Sequence, residues 1–127
     1  MVLMIDISGE ENLDNFIIES TNNNKIIMLY FGAEWCGPCK QLKNKLCEEE
    51  IIKEIPNIAI AHLDVDDEEN ADFIKCYKVS SLPTQIFISL KNNKVQEKSR
   101  IIGYDYTKLK LEYDEIVSNK KIDFKKY

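Results

Sequence analysis

The chain has 127 residues and a formal net charge of −5. That length suits one domain with a buried core and is too short for two. The negative balance argues against a nucleic-acid partner, no stretch is long and apolar enough to span a membrane, and four cysteines are too sparse for a disulfide-stapled secreted scaffold.

In chain order, residues 1–5 are apolar until Asp6 interrupts them. They are too short for a signal-peptide core and lead instead into a strand over 4–7. Ser8, with Glu11 three residues on, has capping-box spacing and predicts a helix whose buried stripe is Leu13, Phe16 and Ile17. A turn at 21–24 ends it. The unbroken apolar run 26–31 suits a strand buried on both faces of a parallel sheet. Cys36-Gly37-Pro38-Cys39 follows, then a helix on which Leu42, Leu46, Cys47, Ile51 and Ile55 form one apolar face. Pro56 and Asn57 break it, and 58–65 reads as a second buried strand. The acidic run 66–69 suits a helix N-terminus, with the helix reaching about Lys78. After a loop at 81–84, strands over 85–90 and 94–102 flank an Asn92-Asn93 hairpin turn. Tyr106, Leu109, Tyr113 and Ile116 mark a closing helix, and a polar tail is expected over 119–127. The whole chain, 1–127, thus reads as one α/β domain with its core over 4–118. It has a mixed central sheet of about five strands, flanked on both faces by about four helices.

The dithiol carries the chemistry. A strand ends near Ala33, which places Cys36 at the start of the next helix, where unpaired amides and the helix dipole favour negative charge. Thiolate is the attacking form of cysteine. Cys39 lies one turn later on the same face, within reach to break a mixed disulfide made by Cys36. Gly37 is read as letting the backbone bend. Pro38 fits a first helical turn, where its missing N–H is not needed, and Trp35 supplies a flat apolar wall. Half a zinc knuckle has the same CxxC spacing. The remaining donors Cys47, Cys76 and His62 are scattered, so no metal site is expected, and Cys47 and Cys76 are placed on core-facing helix stripes as small hydrophobes.

The run Ala33-Glu34-Trp35-Cys36-Gly37-Pro38-Cys39-Lys40, with Leu82-Pro83-Thr84 far along the chain and Gly103 after the last strand, resembles the thioredoxin family over about residues 4–117. The resemblance implies a thioredoxin fold and a protein-disulfide reductase without a resident cofactor. Its partners would be protein disulfides and an NADPH-dependent flavoprotein reductase, and it would act as a cytoplasmic monomer. Cys36 would be the nucleophile, Cys39 the resolving thiol and Pro83 a cis-proline. The backbone of Leu82 would pair with an extended substrate, bordered by Trp35 and Gly103. Three positions depart from the family pattern. Tyr30 stands where a buried Asp is usual, with His62 in place of its Lys partner. Gly32 replaces an aromatic residue, and Asn44 replaces a helix-kinking proline. His62 reads either as a structural histidine bonded to Tyr30 or a carbonyl, or as a substitute base relaying a proton from Cys39. Tyr30 cannot act as that base near neutral pH, because a phenol ordinarily titrates near about 10. Two rival functions stand beside reduction: a binding module or adaptor with weak or lost redox activity, and an oxidase or isomerase of a secretory compartment.

Overall fold

A computed structural model of the chain describes residues 3–125, with side chains over 4–119. Met1 and Val2, ahead of the predicted first strand, and Lys126 and Tyr127, at the end of the predicted tail, lie outside the described residues. Strands β1 (Leu3–Asp6), β2 (Ile26–Gly32) and β3 (Ile58–Asp64) run parallel, while β4 (Thr84–Lys91) and β5 (Lys94–Ile102) add antiparallel neighbours. The sheet order is β1-β3-β2-β4-β5. The helices are α1 (Glu10–Asn22), α2 (Gly37–Leu46), α3 (Glu49–Glu54), α4 (Ala71–Cys76), preceded by a 3₁₀ turn at Glu68–Asn70, and α5 (Tyr106–Lys125).

Strand β2 is buried along its whole length, and its alternating side chains supply two cores. Ile26, Met28 and Tyr30 pack with Leu42, Leu46 and Leu109 on one face. Ile27, Leu29 and Phe31 pack with Leu13, Phe16 and Ile17 on the other. Each fully buried large aliphatic side chain contributes about 1.5–3 kcal/mol, so the middle strand is the best-anchored element. The site-bearing turn hangs from its C-terminal end. Asn92 and Asn93 both have positive φ, 54° and 62°, as a two-residue hairpin turn of the primed type requires.

Four local expectations are corrected. The N-cap of α1 is Gly9, not Ser8, and it makes no side-chain capping bond. The backbone enters the helix at φ 87° and ψ 162°, a region that glycine alone occupies without strain. Its N–H bonds instead to Asn70 Oδ1 at 3.0 Å. The predicted long helix after the dithiol is two helices. The Cys47 and Glu48 amides bond three residues back, to Asn44 and Lys45, and Glu48 is extended. The acidic residues Glu49 and Glu50 then occupy the first turn of α3, where the helix dipole favours them. That break makes five α-helices among the described residues, where about four are expected. It also turns Cys47 outward, and Cys76 is likewise exposed. Both cysteines therefore lie off the core faces assigned to them. Finally, α5 continues to Lys125, through much of the segment expected as tail. Polar composition there ends the apolar stripe without ending the helix.

Candidate active site

Cys36 is the N-cap of α2, with extended backbone, and its sulfur accepts the Cys39 N–H at 3.2 Å. This places a free helix amide directly on the sulfur, the arrangement that stabilises a thiolate. Pro38 lies in the first turn, where its lost donor costs nothing. Cys36 and Cys39 form a disulfide, with Cα atoms 5.2 Å apart. Both residues are buried, Cys36 at 6% and Cys39 at 2% exposure. At Gly37 a Cβ would meet open space, and its φ is not among the positive ones. The turn therefore does not need glycine for its bend. What Gly37 leaves is unfilled room beside the disulfide.

An open groove of about 560 Å³ runs past the disulfide, lined among others by Trp35, Cys36, Pro38, Ile74, Val79 and Leu82. Trp35 is 69% exposed, and its indole N–H donates to Asp66 Oδ2 at 2.7 Å. In the sequence Asp66 is marked only as part of an acidic helix start. Only the return of β3 beside β2 brings it to the tryptophan. The Leu82–Pro83 peptide is cis. Pro83 is buried, and its carbonyl accepts the Gly103 N–H at 2.8 Å. Gly103, at φ 89°, thus joins the site through Pro83.

Behind the disulfide, Tyr30 is 1% exposed. Its hydroxyl donates to the Cys39 carbonyl at 2.6 Å, and burial pushes its pKa up to about 12. His62 is its register partner on β3, with ring centroids 5.0 Å apart. The polar partner of His62 is neither Tyr30 nor a carbonyl. It is the carboxylate of Asp6, 2.7 Å from Nδ1, brought alongside by the parallel β1–β3 register. No hydrogen bond joins His62 to Tyr30 or to either cysteine among the described residues. Asp6 was visible in the sequence only as an interruption of an apolar run. No group of three or more His, Cys, Asp or Glu side chains that could hold a metal occurs among the described residues.

The thioredoxin family model matches residues 7–112. Over 100 residues the chain is 35% identical to the thioredoxin of Chlamydia pneumoniae, spanning 79% of this chain and 85% of that protein. Over 83 residues it is 40% identical to the thioredoxin of Mycoplasma pneumoniae, spanning 65% of this chain and 72% of that protein. Among solved structures it is similar to a poplar thioredoxin h, with a TM-score of 0.73 and 27% identity over 91% of this chain and 96% of that one.

Proposed function

Since the chain belongs to the thioredoxin family and has its fold, we propose that its chemistry is divided between Cys36 as attacking sulfur and Cys39 as resolving sulfur. The protein is a thiol–disulfide oxidoreductase that reduces protein disulfides. In the reduced protein, the Cys36 thiolate attacks one sulfur of a client disulfide. A Cys36–client bond forms, the client S–S bond breaks, and the first client sulfur leaves and takes up a proton. Cys39 then loses its proton and attacks Cys36 Sγ, and the second client sulfur leaves as a thiol. One client disulfide becomes two thiols while the Cys36–Cys39 disulfide forms.

The observation that carries this assignment is the Cys39 N–H aimed at Cys36 Sγ from the first turn of α2. It favours negative charge on the first sulfur and not on the second. Leu82, beside the cis bond at Pro83, offers the backbone along which an extended client segment would lie, with Trp35 as the opposite wall. We further assign an NADPH-dependent flavoprotein reductase as the recharging partner, with a monomer in the cytoplasm as the working form. These assignments rest on family likeness and on the sparse cysteines.

The test is trapping. Cys39→Ser should accumulate mixed disulfides with client proteins, and Cys36→Ser should accumulate none. In the reduced wild-type protein near neutral pH, alkylation should mark Cys36 before Cys39. Trapping by Cys36→Ser would reverse the roles. A reduced protein that neither traps nor turns over a protein disulfide would instead indicate a docking module.

A further inference from the structure

We propose that Tyr30 is a positioning residue for the resolving step: its hydroxyl pins the Cys39 carbonyl, and with it the first turn of α2, to strand β2, and Gly32 is the gap in that strand that admits its ring. The proposal rests on the dithiol reading above and adds a part to it.

Three observations support it. The Tyr30 hydroxyl donates at 2.6 Å to the carbonyl of Cys39 in a buried setting. That carbonyl belongs to the resolving cysteine itself, and a carbonyl oxygen has two lone pairs. It can hold the tyrosine bond beside its helical one. Secondly, the ring has one seat. A Cβ at Gly32 would lie 2.8 Å from Tyr30 Cε1 and 3.3 Å from its Cζ and hydroxyl oxygen. Residues two apart on a strand share a face, so the space that a side chain at 32 would take is filled from position 30. A glycine at the end of a buried strand lacks side-chain packing and costs backbone entropy, and here the phenol occupies the gap. Thirdly, the hydroxyl is unsuited to take a proton. Burial holds it protonated until about pH 12, and that proton is already committed to the carbonyl.

The division of labour follows. In the resolving step the Cys39 S–H bond and the Cys36–client S–S bond break, and the Cys36–Cys39 bond forms. The proton leaves Cys39, and the departing client sulfur gains one. No buried carboxylate is needed for that balance. What the step needs is Cys39 Sγ held within reach of Cys36 Sγ while the client is still attached. The hydroxyl–carbonyl bond fixes the turn that sets this separation.

Tyr30→Phe removes the hydroxyl and keeps the ring in its seat. A neutral hydrogen bond is worth roughly a fivefold change in an equilibrium constant. We therefore expect release of a preformed Cys36–client mixed disulfide to slow about fivefold, with a matching shift of the dithiol–disulfide equilibrium against a reference dithiol. Two readouts should not move: the rate at which Cys36 first attacks the client, and the midpoint of the pH profile of release. Gly32→Ala should slow release similarly by displacing the ring, and it should add nothing further in the Tyr30→Phe background. Unchanged release and equilibrium in Tyr30→Phe would overturn the proposal. So would a shifted pH midpoint, which would make Tyr30 a proton relay. So would strictly additive effects of the two substitutions on release. Failure of the underlying dithiol reading shows separately, as a Cys39→Ser protein with native Tyr30 that traps no client.

Discussion

Cys47 and Cys76 illustrate how a single residue escapes a periodicity argument. A free cysteine packs as a small hydrophobe, so at helical spacing it reads as core. Cys47, however, follows the last turn of α2, where the helix tightens and stops, and both thiols are exposed. With the Cys36–Cys39 disulfide intact, we predict that two thiols per chain react promptly with a thiol reagent without denaturant. Finding fewer than two in the folded protein would return one of them to the core. Asn70 is the converse case: a polar residue with no motif, yet fully buried. Its amide accepts from Gly9 and donates to the carbonyls of Ile7 and Asp64. It ties the start of α1 to the end of β3. Removing it leaves those groups unpaired away from water. Asn70→Ala should therefore lower unfolding stability by about 1–3 kcal/mol, measured by denaturant titration.

At the scale of elements, the strands were legible and several helix ends were not. A strand buried on both faces announces itself as an apolar run, and 26–31 and 58–65 lie within a residue of β2 and β3. Helix boundaries turn on caps and backbone angles that several sequences satisfy. Ser8 had the right spacing for a capping box, but the chain turns through Gly9, because Asn70 offers its N–H a partner from another element. The two glycines therefore differ in kind. Gly9→Ala should cost about 1–3 kcal/mol, since its backbone lies where other residues are strained. Gly37→Ala should leave the melting temperature unchanged or slightly raised, because alanine is the better helix former and open space surrounds that position. A comparable loss from both substitutions would show that the dithiol turn, too, depends on glycine geometry.

Across the whole molecule, burial and neighbours hold several tyrosines protonated. Desolvation lifts Tyr30 to about 12. It also raises Tyr77, helped by the negative charges of Cys76, Glu97 and Asp14. Tyr106 is raised as well, by desolvation and its hydrogen bond to Glu54. Folded pKa values above the unfolded one mean that the native state keeps protons the unfolded chain releases. Stability from these groups is thus complete below about pH 10 and is lost as pH rises towards 12. Thermal melts should show a falling midpoint over that window, with a smaller fall in Tyr30→Phe; an equal fall in that variant would remove Tyr30 from the account. The sequence by itself determined the α/β order, the buried middle strands and the dithiol at a strand-to-helix turn, because apolar periodicity and CxxC spacing are local properties of the chain. Only the tertiary structure decided that Asp66 holds Trp35, that Asp6 takes His62, that Tyr30 fills the space over Gly32, and that Cys47 and Cys76 face water. Each of these depends on which strands lie side by side and where a helix stops, and those are settled by packing between segments far apart in the chain.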